Sequence, residues 1–179
     1  AASDVYKRQN RNCSFQGVKL NGPFEISDAL ARSFLQEPTN PNGEPNSKVV
    51  RRFAGNDDVT MRDRDAWVID FTDYPESAVA ALFEKPFQHV RTQVVEHRQT
   101  REVGTATEVD RLEKFWLMQR PRPKLRKAIA AFDRIIAVPE TSEHLLFRFL
   151  PSSYVFSGSL FVICRDDDIT FGILSSHIH

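Results

Sequence analysis

From Asp133 onward the chain is a succession of short β-rich runs, DRIIAVP, EHLLFRFL, GSLFVICRD and DITFGIL, parted by Pro139, Pro151, Gly158 and the acidic turn Asp166 to Asp168. Proline cannot donate to a sheet ladder and glycine opens turns, so these residues mark strand ends. Connections this short leave no room for helical crossovers, which points to a largely antiparallel sheet.

The middle of the chain follows a different period. Ser27 and Asp28 stand as N-cap candidates before ALARSFLQ, and Pro38 closes that helix. The stretch TNPNGEPNSK is dense in Asn, Pro and Gly and reads as an exposed loop, after which KVVRRFAG and DAWVIDF have the β-branched and aromatic content of strands. A helix begins at ESAVAALF and is interrupted by Pro86. A second resumes as PFQHVRTQVVEHRQTR, with Phe87, Val90, Val94 and Val95 on a greasy face and Arg91, His97 and Arg98 on the other. The polar run REVGTATEVDRLEK carries no clear assignment. A further helix is expected from about Pro123, with Leu125, Ile129 and Phe132 spaced for burial. The fold class is therefore α+β, with central helices and a largely antiparallel β-sheet in the C-terminal third.

Residues 1–13 have no periodicity in their opening AASDVYKRQ and are expected to be a non-native or disordered leader. Residues 14–179 are expected to form one domain, a fragment of a longer chain truncated at both ends, because FGILSSHIH begins a new element as the chain stops. With 41% apolar and 27% charged residues the composition is that of an ordinary soluble protein, and no apolar run approaches the roughly 18 residues of a membrane span. A cytoplasmic location is expected. Cys13 and Cys164 have no CxxC spacing and read as incidental thiols.

Between Lys114 and Lys127 the chain reads KFWLMQRPRPKLRK, with six basic residues and no acidic one, on a protein whose formal net charge is zero. Gathering positive charge in this way suits a polyphosphate partner, because arginines fork onto phosphate oxygens and each neutralised phosphate releases counterions. Arg51 and Arg52, followed by Gly55, Asn56, Asp57 and Asp58, form a second polar knot. It fits either a phosphate contact or a turn salt-bridged with Arg62 and Arg64. Residues 141–145, Thr-Ser-Glu-His-Leu, offer short donors and acceptors of the kind that read base edges, or an ordinary polar hairpin loop.

Catalytic signals are weak by comparison. Asp166 to Asp168 form a tight acidic turn more suited to water than to a metal. No acid stands two positions before a lysine, as an Asp, then Glu-x-Lys nuclease requires, and there is no Gly-x-Ser-x-Gly, phosphate-cradling glycine loop or Asn-Pro-Pro-Tyr. No catalytic residue, cofactor site or metal site is assigned.

SFQG at 14–17, VVRRFAGNDD, AWVIDFTDYPESA, FEKPFQHVR, Phe115-Trp116, RPRPKLRKAIAAFDRIIAVPETSEH and FGILSSHIH occur in that order. Together they resemble the target-recognition region of MmeI-type adenine-N6 DNA methyltransferases, the single-chain restriction–modification enzymes and their methylase-only relatives. The resemblance implies a module that recognises double-stranded DNA for a methyltransferase domain of the same parent chain, which would use S-adenosylmethionine. It further implies phosphate contacts from Arg51, Arg52, Arg120, Arg122, Lys124 and Arg126. Base reading would come from a strand over 141–147, with Thr141, Glu143, Leu145 and Phe147 on one side. The chain departs from the family pattern where Gly55-Asn56 stands for Asn-Gly and Phe115-Trp116 for paired tryptophans; Leu145 stands near a frequent basic position. A reading of another class is a stand-alone RNA-binding or protein-interaction domain using Phe115 and Trp116 for stacking. A hydrolase built on His89 or His97 has only isolated histidines behind it.

Overall fold

The computed structural model describes residues 13–100 and 105–176. In chain order the first elements are β1 (Ser14–Gln16), β2 (Glu25–Ile26), α1 (Asp28–Leu35), β3 (Val50–Ala54), α2 (Asn56–Thr60) and β4 (Trp67–Ile69). The central helices are α3 (Ser77–Ala80), α4 (Glu84–Gln99), α5 (Ala106–Glu113) and α6 (Pro123–Ile129). Then come β5 (Arg134–Pro139), β6 (Arg148–Pro151), β7 (Val155–Phe156), β8 (Leu160–Ile163) and α7 (Asp168–Leu174). The mixed α+β class expected from the sequence is what the chain adopts. The described residues divide into two compact units, one of 13–17, 54–64 and 122–176, the other of 18–53, 65–100 and 105–121.

In the first unit the sheet runs in the order β1-β8-β5-β6, with every neighbouring pair antiparallel. Alternation along the strands sends Ile135, Ala137, Leu150, Leu160 and Val162 to one face, where Leu125 and Ile129 of α6 and Val59 of α2 complete a core. Ile135 and Leu160 are fully buried there, each contributing about 1.5–3 kcal/mol of hydrophobic stabilisation. Gly17 ends β1 where nothing larger fits. A Cβ on it would lie 2.1 Å from the Ser157 carbonyl oxygen and 2.3 Å from that of Phe156. This close approach is the physical content of the glycine in SFQG.

Two segments of this unit differ from expectation. EHLLFRFL yields a strand only from Arg148; residues 141–147 are a loop with no strand alternation, because the Ser142 hydroxyl donates to the His144 carbonyl and turns the chain. The grouping of Thr141, Glu143, Leu145 and Phe147 on one strand face therefore does not hold. DITFGIL, read as a strand from its β-branched residues, is the helix α7. The Asp167 carboxylate accepts from the Thr170 N–H at 2.7 Å and caps it, and Phe171 stacks on Phe149 at 4.5 Å. Local capping together with one tertiary contact outweighs β propensity here.

In the second unit β2, β4 and β3 pair antiparallel in that order. Phe24, Phe71, Phe83, Val49 and Val68 are fully enclosed, and Phe71 meets Phe83 and Phe87 edge-on at 6.2 and 5.9 Å. Pro86 does not separate two helices. It is the third residue of α4, a first-turn position where its missing N–H costs no bond. From Thr105 the unassigned polar run forms α5, started by a capping box in which Thr105 and Glu108 each bond the other's backbone N–H. Arg98, expected on the polar face of α4, is only 7% exposed and falls in register with buried Pro86, Val90 and Val94. Its guanidinium donates to the carbonyls of Asn21 (3.3 Å), Leu117 (3.0 Å) and Arg111, and lies over the Phe24 ring. Burial, with a smaller push from Arg111, lowers its pKa to about 10, so it stays charged at neutral pH.

Among the described residues no helix is long and apolar enough to cross a membrane. The expected leader lies outside the described residues apart from Cys13. Cys164 is buried, Cys13 half-buried, and neither forms a disulfide; burial raises the Cys164 pKa.

Candidate nucleic-acid interface

The sequence places its basic run where a loop enters α6. Arg120 lies in the second unit, its backbone paired with Lys19 by two hydrogen bonds of 3.1 Å, its side chain exposed. Pro121 and Pro123 then fix the entry, and Arg122 between them takes a left-handed backbone with φ 54°. An L-residue adopts that conformation at a cost of about 1–2 kcal/mol, so something must hold it. The holding contacts are its own guanidinium bonds, Nε to the Gly17 carbonyl at 3.3 Å and Nη2 to Gln16 Oε1 at 3.0 Å. Lys124 and Lys127 follow on the exposed side of α6, Arg126 is half-buried, and Leu125 and Ile129 point into the core. The amphipathic expectation for this helix is met.

Gln16 connects this basic helix to the 141–147 loop. While its Oε1 accepts from Arg122, its Nε2 donates to Glu140 Oε1 and to the Gly158 carbonyl, both at 3.0 Å. An arginine on one side and a carboxylate on the other fix which way the amide points. One side chain of β1 thus ties the start of α6 to the residue immediately before Thr141, within a single unit. Gln16 was not singled out by the sequence beyond its place in SFQG, and no local signal marks a residue whose partners lie more than a hundred positions away.

The loop itself is open. Thr141, Ser142, Glu143 and His144 are exposed, Leu145 is 67% and Leu146 40% exposed, and Phe147 is half-buried. Its two ends are anchored by α2: Asn56 Nδ2 donates to the Thr141 carbonyl at 3.4 Å, and Arg148 Nη1 donates to the Asp58 carbonyl at 2.7 Å. Backbone anchors leave the side chains of the loop turned to solvent, and two exposed leucines beside polar groups make a surface that contacts apolar as well as polar partners.

The Arg51-Arg52 knot lies apart in its bonding. Arg52 pairs with Asp65 at 2.6 Å and covers the Trp67 ring at 5.2 Å; Trp67 in turn donates to Asp28 at 2.9 Å. The Arg32 bond, then that of Trp67, lowers the Asp28 pKa. Asp58 accepts from the Gly55 N–H at 2.6 Å and the Arg64 N–H at 2.7 Å, and meets Arg64 Nε at 3.3 Å, so the acidic half of the knot is a salt-bridged turn. Arg51, half-buried on β3, stands opposite Val68. The candidate residues therefore fall into both units: Arg51, Arg52 and Arg120 in the second, Arg122, Lys124, Arg126 and the loop in the first.

Other candidates are accounted for by packing. Trp116 is 6% exposed, donates to the Tyr74 carbonyl at 3.3 Å and sits against Phe87 and Phe115, so it is a core residue and offers no face for stacking. Asp168 pairs with Arg134 at 2.8 Å, and His89 lies against Phe34, its pKa lowered by burial. Among the described residues no three His, Cys, Asp or Glu side chains gather as a metal site.

No protein-family model and no curated protein matches this chain. Among solved structures it is similar to the Type IIL restriction–modification enzyme MmeI in complex with DNA, with a TM-score of 0.63 and 19% identity. The likeness covers 91% of this chain and 20% of that one, so the chain spans about a fifth of the enzyme's length. The fold is thus one found within a restriction–modification enzyme.

Proposed function

We propose that this chain is the double-stranded DNA recognition module of an S-adenosylmethionine-dependent adenine-N6 methyltransferase of the MmeI type, joined in its parent to a methyltransferase domain. One observation carries the reading: Gln16 bonds Arg122 at 3.0 Å and Glu140 at 3.0 Å, joining a helix with phosphate-binding chemistry to an exposed loop with base-reading chemistry. Backbone contacts fix register on a duplex and loop contacts choose the sequence, so a module that does both needs the two parts rigidly linked. The fold of a DNA-bound restriction–modification enzyme supports it.

Roles follow from how each side chain is engaged. Arg120 and Lys124, exposed, carry most of the phosphate attraction, to which the half-buried Arg51 and Arg126 add. Arg52 and Arg122 are already hydrogen-bonded within the protein and act mainly by holding their surroundings in place. Thr141, Glu143, Leu145 and Phe147 discriminate bases from a loop, each by its own reach rather than as one strand face. The methyl donor binds in the parent's other domain, and the chemistry of transfer belongs there.

Selection from a random duplex library tests the proposal, combined with binding measured against salt. The bound pool should converge on one short motif, and log affinity should fall against log salt by about 0.9 for each phosphate neutralised. A pool that stays random, binding indifferent to salt, or a preference for single strands would each refute it.

A further inference from the structure

A groove of about 400 Å³ opens between β1 and α6, lined by Phe15, Lys124, Lys127 and Ala128. Its volume falls within the range of small-ligand sites. Its lining joins an apolar pair, the Phe15 ring and the Ala128 methyl packed against the core, to two lysines three residues apart on one helix face. Phe15 and Ala128 are only partly buried, so the core leaves this part of their surface uncovered.

Resting on the proposed function, we propose that this groove seats one nucleotide unit of the duplex backbone, its phosphate held between Lys124 and Lys127 and its deoxyribose laid on the Phe15 ring and Ala128. The occupant must be anionic at one end and apolar at the other. A bare anion would leave the phenyl ring uncovered, and a purely apolar group would leave two ammonium groups facing it. A sugar-phosphate unit offers both parts, and the run that supplies the lysines has six basic residues and no acidic one. Lysine ammonium groups suit this task, being compact point charges that reach one phosphate from two sides. Gln16, next to Phe15 on β1, bonds toward the loop, so a phosphate seated here fixes a point of the backbone relative to residues 141–147.

The test uses the whole chain and a 30-base-pair duplex of arbitrary sequence, because backbone seating needs no particular site. If both lysines serve one phosphate, Lys124→Ala/Lys127→Ala together should lower the slope of log affinity against log salt by about one, no more than a single lysine change does. Ala128→Glu, which puts a carboxylate in the groove lining, should weaken binding roughly tenfold or more. Ala130→Glu, with the same change in charge on the exposed end of the helix, should weaken it far less. Phe15→Ala should lose several-fold in affinity with the salt slope unchanged, and Phe15→Leu, which keeps the core contact, should be folded and intermediate. Equal effects of Ala128→Glu and Ala130→Glu, or a slope unmoved by the lysine changes, overturn the groove assignment while leaving duplex recognition standing. A free deoxynucleoside monophosphate that binds the groove as well as the duplex does also overturns it. Failure of the chain to bind any duplex overturns both readings together.

Discussion

Replacing Arg98 by methionine tests whether the second unit is organised around a buried cation. The Arg98 side chain on α4 supplies donors to the half-buried Asn21, Leu117 and Arg111 carbonyls, so methionine leaves three acceptors without them. Each orphaned acceptor costs about 1–3 kcal/mol, and losing the approach to the Phe24 ring adds about 1 kcal/mol. Against this, the cation is no longer buried. The fall of its pKa to about 10 corresponds to roughly 3 kcal/mol of desolvation and repulsion from Arg111 that the variant is spared. The balance is a loss of about 1–7 kcal/mol, which at a urea dependence of about 2 kcal/mol per molar moves the unfolding midpoint down by about 0.5–3.5 M. Trp67 and Trp116 both lie in this unit, so their fluorescence follows its unfolding directly. An unchanged midpoint for Arg98→Met would refute the argument, since it would mean that the three carbonyls find water at no cost and that the arginine organises nothing.

Gly17→Ala forces a Cβ against two backbone carbonyls at 2.1 and 2.3 Å and should destabilise the first unit by about 3 kcal/mol or more, read as a drop in thermal midpoint. Gln16→Ala cuts the bridge between Arg122 and Glu140; discrimination between the selected duplex and a scrambled one should fall roughly tenfold while the salt slope holds, and an unchanged ratio would separate the loop from the basic helix. The Asp167 cap is pH-dependent. Its bonds from the Thr170 N–H and hydroxyl lower its pKa from 3.8, so the cap is fully present above that value and is lost as pH falls through the depressed folded value. Protection of the Thr170 and Phe171 amides, taken relative to their intrinsic exchange rates, should fall over that acid range, and Asp167→Ala should show low protection at every pH.

Features governed by neighbouring residues were legible in the sequence. The Ser27 cap, the apolar spacing of Leu125 and Ile129, the prolines that end strands and the concentration of charge from Lys114 to Lys127 are fixed within a few positions along the chain. These local choices set the α+β class and placed the basic run at the start of α6. The capping box at Thr105 was equally local and readable, but a polar stretch without periodicity drew attention away from it.

What tertiary structure alone decided is the fate of residues whose partners are far away in sequence. Arg98 carries the period of a solvent-facing charge, and only three carbonyls arriving from positions 21, 111 and 117 make its burial possible. DITFGIL has strand composition, and its helix rests on the Phe149 ring that meets Phe171 as well as on the local Asp167 cap. Gln16 is an unremarked amide until the fold sets Arg122 on one side of it and Glu140 on the other. Local sequence fixes backbone propensity because dihedral preferences and caps are short-ranged, whereas hydrogen bonds and ring contacts between distant segments exist only once chain closure has brought them together.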